Sequence, residues 1–216
     1  MKQIHKKVID VCGTGHSGHS AVIDFLSEFE GVHAHYCLFH FELFRQPGGL
    51  NDLIMAADHN WSEISFDYNL KKFLRLSEKL TLSAISNIGP DFEKITKKYV
   101  ESIIDYELKT DWFDDFNFDT IEKQNTITRI IRYVIRRIIS KFRKKRHVEF
   151  IPSHTTYHCN TTEFIEKTSN YIMELLFHNL NSDIHCVVTG NSIEPYQRSN
   201  YILDSSESVY SIIVVR

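Results

Sequence analysis

The sequence predicts a three-layer α/β fold, with a parallel sheet between helices and a large helical insertion. Two observations predict it: strand-like and helix-like patterns alternate near both ends of the chain, and the middle has an almost continuous helical period. Parallel strands need crossover connections, usually helices, and these cover both faces of the sheet. We expect one domain over residues 1–216, with the insertion at about 50–147.

The first unit is a strand, a glycine-rich turn and a helix. The apolar run at residues 8–12 predicts a short buried strand, bounded by Gly13. The helix is predicted to end at Gly31 and to bury one face, on which apolar residues recur at helical spacing. They are Val22, Phe25, Leu26 and Phe29. Residues 32–44 mix aromatic side chains with histidines and fit either a strand or a helix, and residues 46–49 predict a turn.

The middle region follows a helical period over most of its length. Apolar residues at helical spacing predict two helices there. The first contains Leu70, Phe73, Leu74 and Leu80, and the second contains Phe92, Ile95, Tyr99 and Ile103. A longer helix is predicted from about residue 120 to 145, after an acidic loop that is rich in aromatic residues.

The last third alternates again between strand and helix patterns. In chain order, the predicted elements are an extended segment at 148–152, a polar loop at 153–160, a helix at 162–180, a strand at 184–189, a loop or short helix at 191–198 and a final strand at 209–215. This alternation is what a parallel α/β core requires.

The composition excludes several classes of protein. With 8 Gly and 4 Pro in 216 residues, the chain is neither collagen-like nor a Pro-rich or Gly-rich disordered segment. The four cysteines lie far apart, which disfavours a disulfide framework or a structural zinc site and favours thiols in a reducing compartment. No apolar run approaches the roughly 20 residues of a membrane span, and none near the N-terminus is long enough for a signal sequence. We therefore expect a cytoplasmic protein.

The charges are distributed unevenly. Residues 129–146 hold nine Lys or Arg residues and no acidic residue, which leaves 16 basic against 28 acidic residues in the rest of the chain. Apolar residues of this basic segment fall at helical spacing: Ile131, Val134, Ile135, Ile138, Ile139 and Phe142. The pattern fits an insertion helix with one buried face, peripheral contact with the inner membrane surface, or recognition of an anionic glycan or lipid headgroup. Nucleic acid is not expected as a partner, because the acidic remainder would repel phosphates.

The glycine-rich turn is the most informative segment for function. It connects the first strand to the first helix and consists of Gly13, Thr14, Gly15, His16, Ser17, Gly18, His19 and Ser20. Glycines let the backbone turn tightly and point successive N–H groups at an anion, while the helix N-terminus and the serine hydroxyls add positive potential and donors. We predict that the turn binds a phosphate or sulfate group; a purely structural tight turn is the alternative.

Two general motifs fit this turn incompletely. Residues 13–18 match the G-x-G-x-x-G dinucleotide fingerprint. This motif requires an acidic residue near the end of the second strand, and Glu42 lies near that position. Residues 13–20 also match G-x-x-x-x-G-K-[ST], except that His19 replaces the lysine that a kinase or NTPase needs on the phosphates. Ordinary ATP or GTP hydrolysis is therefore disfavoured.

A third pattern fits better. The turn resembles the 5′-phosphosulfate loop of sulfotransferases that use 3′-phosphoadenosine 5′-phosphosulfate (PAPS), which lies between the first strand and helix of that family. The matching positions are Gly15, Ser17, Gly18 and Ser20. His16 departs from the family, which has Lys or Arg there, and His19 departs where Thr or Ser is usual.

The end of the chain resembles the same family independently. In sulfotransferases a strand ends in an arginine that binds the 3′-phosphate of PAPS, and residues 212–216 look like that strand and its arginine, Arg216. The loop that begins at Asn191 and the segments 41–45 and 47–50 resemble parts of bacterial members. The resemblance implies a P-loop-like sulfotransferase fold and, because that fold continues beyond the arginine, a chain that is truncated at its C-terminus.

The resemblance also implies a function, which is in-line transfer of a sulfuryl group from PAPS to a hydroxyl or amine. The expected acceptor is a carbohydrate, and no metal is expected. Residues 13–20 would hold the 5′-phosphosulfate and Arg216 the 3′-phosphate. Glu42 would take the acceptor's proton, and His16 would stabilise charge on the leaving oxygen. The alternatives are a kinase-like phosphotransferase and a non-catalytic remnant that only binds nucleotide.

The chain has twelve histidines, some of them close together. We expect His35, His40 and His154, together with Asn191, to contribute to the acceptor site, because α/β folds bind ligands at the carboxyl ends of their strands. A metal site is disfavoured, because neither H-E-x-x-H nor two histidines spaced by a helical turn occurs on a predicted helix.

Overall fold

The computed structural model of this chain describes residues 6–13, 17–35, 43–44, 46–59, 63–84, 91–110, 127, 130–131, 134, 154–159, 161–190 and 209–214. Over these residues it is an α/β protein with a mostly parallel sheet and five helices. The strands are β1 (Lys7–Gly13), β2 (Val32–Ala34), β3 (Ile104–Thr110), β4 (His154–Cys159), β5 (Cys186–Gly190) and β6 (Val209–Val214). The helices are α1 (His19–Ser27), α2 (Leu50–His59), α3 (Glu63–Ala84), α4 (Asp91–Ile103) and α5 (Thr161–Leu176). None of the helices described here is long and apolar enough to cross a bilayer.

Four strands form one parallel sheet in the order β2-β5-β1-β6. Residues 7–11 of β1 pair with 186–190 of β5, and residues 8–13 pair with 209–214 of β6. This sheet confirms the predicted parallel α/β core. The strand order differs from the common doubly wound orders. In those orders the first two strands are neighbours, whereas here β5 separates β1 from β2.

The sheet separates two apolar cores. Successive strand residues point to opposite faces, so Val11 and Val188 face α1, while Val8 and Val187 face the other helices. On the α1 face Ile23 completes a small core. On the opposite face a larger core collects side chains from α2 to α5, among them Leu53, Phe73, Phe92 and Phe164. Helices therefore lie on both faces of the sheet, as predicted.

Helix α1 buries a different stripe from the one predicted. Ile23 is buried, and Val22 and Leu26 are partly buried against the sheet. Phe25 and Phe29, in contrast, are 64% and 53% exposed, and their rings pack edge to face with centroids 5.4 Å apart. Since the helix rests on the sheet along one narrow side, only part of its apolar surface is covered. The prediction that Phe25 and Phe29 are buried is wrong.

Helices α3, α4 and α5 confirm the helices predicted at these places, and polar pairs join two of them inside the core. The hydroxyls of Tyr99 on α4 and Thr168 on α5 are hydrogen-bonded at 2.8 Å, and those of Thr96 and Tyr171 at 2.9 Å. The two tyrosine rings stack with centroids 4.2 Å apart, and Phe73 of α3 packs edge to face against both.

Strands β3 and β4 form an antiparallel pair that the sequence analysis did not predict. Residues 104–110 belong to a stretch predicted to be helical, and 153–160 were predicted to be a loop, so both expectations are corrected. The alternation of Ile104, Tyr106 and Leu108 with charged residues is a strand signal that the helical prediction overlooked, whereas β4 has no such alternation. Two residues of α3 hold β4: the Asp67 carboxylate accepts a hydrogen bond from the Tyr157 N–H at 3.1 Å, and the Lys71 ammonium donates to the Thr155 carbonyl at 2.9 Å.

Several predicted segments lie wholly or largely outside the described residues. The helix predicted over about 120–145 is described only at Ile127, Ile130, Ile131 and Val134, all in helical conformation. The segments predicted at 148–152 and 191–198 are not described. The single domain over 1–216 and the C-terminal truncation stay predictions.

Candidate functional site

The described residues at the two ends of the turn between β1 and α1 have features that suit an anion site. β1 ends at Gly13 and α1 begins at His19, so the turn leads from a parallel strand into a helix N-terminus. Gly18, which precedes the helix, has φ +91° and ψ 9°, a left-handed conformation that favours glycine. Among the described residues of this helix, no side chain caps the N-terminus and no acidic residue occupies the first turn. Within the first turn of this helix, no carboxylate therefore neutralises the positive end of the helix dipole.

Two side chains of the turn carry buried polar atoms. The Ser17 hydroxyl lies directly over Gly13, where a Cβ would collide with it, so glycine at position 13 makes room for this hydroxyl. Ser17 Oγ and His19 Nδ1 are both buried, and neither has a hydrogen-bond partner within the described part of the chain. Since buried polar atoms are nearly always hydrogen-bonded, these two atoms fit a ligand bound in the turn.

Strand β6 brings a second segment to the same edge of the sheet. Gly13 is in register with Val214 across the parallel β1–β6 pair, so the chain leaves both strands side by side. Neighbouring strands lie about 4.8 Å apart. Arg216 follows Val214 by two residues, and Asn191 directly follows β5 on the other side of β1.

A buried polar row crosses the sheet just below this edge, and the sequence analysis missed it. Asp10 of β1 is 0% exposed. Its carboxylate accepts the Thr189 hydroxyl at 2.7 Å and the Cys12 thiol at 2.9 Å. Thr189 on β5 and Ser211 on β6 are the cross-strand neighbours of Asp10. A buried carboxylate is costly unless it is hydrogen-bonded, so these contacts fix β1 against β5 beneath the turn. A single acidic residue inside the apolar run 8–12 was the signal that pointed to it.

His35 follows β2 at the outer edge of the sheet, and its ring is tied to a helix end. Its backbone N–H donates to the Val188 carbonyl at 2.9 Å, and its Nε2 lies 2.8 Å from the Leu176 carbonyl at the end of α5. A carbonyl only accepts, so Nε2 carries the proton. The His33 ring packs edge to face against it, with centroids 4.8 Å apart. His35 thus has a structural role, and its Nε2 is already engaged.

The burial of His35 predicts a sensitivity of the fold to acid. Burial lowers the pKa of His35 below its ordinary 6.5, the Leu176 carbonyl offsets this in part, and His33 adds to the lowering. The unfolded chain therefore binds this proton more readily, and the free energy of unfolding is expected to fall as the pH drops below about 6.5. His35→Gln should reduce this pH dependence in denaturant unfolding, whereas His33→Gln, which keeps the buried ring, should retain most of it. Equal pH profiles for wild type and His35→Gln would contradict the assignment.

The remaining predicted site residues divide into two groups. Ser20 lies exposed in the first turn of α1, and His154 begins β4, which belongs to the separate two-stranded sheet. The others lie outside the described residues: Thr14, Gly15, His16, His40, Glu42, Asn191 and Arg216. The structure thus brings together Gly13, Ser17, Gly18 and His19 in one turn.

Comparison with protein-family models, with curated protein sequences and with solved structures finds no match to this chain.

Proposed function

We propose that this chain is a sulfotransferase of P-loop-like fold, which moves a sulfuryl group from PAPS to a hydroxyl or amine, with a carbohydrate as the expected acceptor. The observation that carries the proposal is the register of Gly13 with Val214, which sets the glycine-rich turn beside the segment leading to Arg216. PAPS carries a phosphosulfate and a phosphate on one ribose. It needs two anion-binding segments that lie close together, and we assign these roles to the turn and to the segment that follows β6.

The turn is the proposed site of the 5′-phosphosulfate. Its backbone N–H groups and the N-terminus of α1 supply donors and positive potential. The buried Ser17 hydroxyl, which has no partner within the described residues, is suited to donate to a phosphate oxygen. No acidic side chain stands in the first turn of α1 to oppose an anion there.

Arg216 is the proposed ligand of the 3′-phosphate. A guanidinium binds two phosphate oxygens at once through parallel N–H donors, and it stays positively charged at any physiological pH. Arg216 follows Val214 by two residues in the sequence, and Val214 is in register with Gly13 at the end of β1, which supports this assignment. Both phosphates would then lie at the carboxyl ends of adjacent parallel strands, where open α/β sheets bind ligands.

The proposed transfer makes one bond to sulfur and breaks one. The acceptor oxygen or nitrogen bonds to sulfur while the bond from sulfur to the bridging oxygen breaks, and 3′-phosphoadenosine 5′-phosphate (PAP) leaves with that oxygen. Glu42 takes the proton that the acceptor loses. His16 donates a hydrogen bond to the bridging oxygen, with a full positive charge when protonated, as negative charge develops there.

Two features disfavour the other nucleotide ligands. A dinucleotide-binding fold has its first two strands side by side, whereas β5 separates β1 from β2 here. A phosphotransferase that uses ATP needs a lysine on the phosphates, and His19 occupies that position of the motif.

A comparison of three nucleotides tests the proposal. PAP at about 100 times its dissociation constant adds about 2.7 kcal/mol to the stability of the folded state, which for a chain of this length raises the melting temperature by about 5–10 °C. We expect PAP to produce such a shift in a thermal denaturation scan, and ATP and NAD at the same concentration to produce little. A shift with ATP or NAD alone, or none with PAP, would overturn the proposal.

A further inference from the structure

One surface of the chain has no part in the proposed transfer. Ile127, Ile130, Ile131 and Val134 are helical and are spaced so that they share one face of a helix. Their side chains are 69%, 58%, 52% and 46% exposed. This apolar stripe, residues 127, 130, 131 and 134, therefore lies on the surface. An insertion helix that buried this face in the core would have placed the same side chains out of contact with water.

The apolar stripe runs into the basic segment 129–146. In the sequence pattern, with about 3.6 residues per helical turn, Ile138 has the spacing of the apolar stripe, and Arg129, Arg132 and Arg136 have the spacing of the opposite side. The segment holds nine basic residues and no acidic one. An exposed apolar face backed by Lys and Arg is the pattern of a helix that lies in the plane of a membrane surface.

We propose that the segment 127–146 binds the surface of an anionic lipid bilayer, with the apolar stripe inserted among the headgroups and the basic side chains at the lipid phosphates. The other candidate partner for the apolar stripe is the same segment of a second copy of the chain, and the charges disfavour it. Two copies of the segment would bring eighteen positive charges together without a compensating acid, whereas anionic headgroups neutralise them.

The interaction is expected to depend on both parts of the surface. Whole protein mixed with vesicles of phosphatidylserine and phosphatidylcholine should sediment with them at low salt, and should bind vesicles of phosphatidylcholine alone at least ten-fold less. Salt near 1 M, where the Debye length is about 3 Å, should release most of the protein. Equal binding to both kinds of vesicle, or none to either, would overturn the proposal.

A pair of matched double variants tests the apolar stripe itself. Ile131→Ser with Val134→Ser should lower binding to the anionic vesicles at least ten-fold. Ile212→Ser with Ile213→Ser removes two other exposed aliphatic side chains, 36% and 46% exposed on β6, and should leave binding unchanged. Circular dichroism spectra should match the wild type in both. Unchanged binding by the first variant would overturn the proposal. Light scattering without lipid provides a second test. Self-association of the wild type that the first variant abolishes, without a change in vesicle binding, would also overturn the proposal.

Discussion

Replacing Phe73 by alanine is expected to lower the free energy of unfolding by about 3–5 kcal/mol, the range for buried aromatic truncations. Phe73 is 0% exposed and packs edge to face on Tyr99 and Tyr171, with ring centroids 6.1 and 6.4 Å away. Truncation leaves a cavity where α3, α4 and α5 meet. Since domains are stable by only about 5–15 kcal/mol in total, this variant should unfold at a much lower urea concentration than the wild type.

The matched control is Phe25→Ala on α1. The same atoms are removed there from a side chain that is 64% exposed and whose ring packs edge to face on Phe29. Such an aromatic pair contributes about 0.5–1.5 kcal/mol, so the free energy of unfolding should fall by no more than about 1.5 kcal/mol. A fall for Phe25→Ala as large as that for Phe73→Ala would show that α1 buries its phenylalanines, and would contradict the packing described for this helix.

Local periodicity was sufficient to predict an element where the element's own residues decide its structure. The apolar run at 8–12 predicted β1, and the helical spacing of Phe92, Ile95, Tyr99 and Ile103 predicted α4 with all four side chains buried. In these segments the buried face and the local propensity agree, so the pattern and the tertiary structure point to the same answer.

Local periodicity was insufficient to predict an element where contacts with distant segments decide its structure. β3 and β4 pair across a long separation in sequence. Ile104, Tyr106 and Leu108 of β3 do alternate with charged residues, a strand signal that the helical prediction for 50–147 overlooked, whereas β4 has no such alternation. Phe25 has the spacing of a core residue, but whether it is covered depends on how far the sheet extends under α1. The order β2-β5-β1-β6 follows from packing among distant elements, and no single segment contains it.

The candidate site shows the same division. The glycine spacing located the turn, and the alternation of elements placed it at the end of a parallel strand. The position of Ser17 over Gly13 and the contacts of Asp10 with Thr189 and Cys12 were not predictable, because each joins residues through backbone geometry or strand register.

The second large effect is expected at Ser17. Removing its hydroxyl by Ser17→Ala should weaken PAP binding by about 10- to 100-fold, which corresponds to the loss of one hydrogen bond to a charged group, about 1.5–3 kcal/mol. The hydroxyl is buried beside the N-terminus of α1 and has no partner within the described residues. Its removal should therefore cost affinity for the anion and leave the free energy of unfolding of the ligand-free protein nearly unchanged.

Ser27→Ala is the matched control at the C-terminal end of α1. Ser27 lies at the opposite end of α1, where its hydroxyl donates to the Asp24 carbonyl at 2.7 Å. This variant loses a hydroxyl and a local hydrogen bond of about 0.5–1.5 kcal/mol, but it leaves the turn intact. Its affinity for PAP should equal that of the wild type.

Isothermal titration of PAP into these three proteins tests whether the turn from Gly13 to Ser20 holds the 5′-phosphate of the donor. We expect saturable binding at one site by the wild type, the same dissociation constant for Ser27→Ala, and a constant at least ten-fold higher for Ser17→Ala. Binding of PAP by Ser17→Ala with the affinity of the wild type, or no binding of PAP by the wild type, would contradict this assignment.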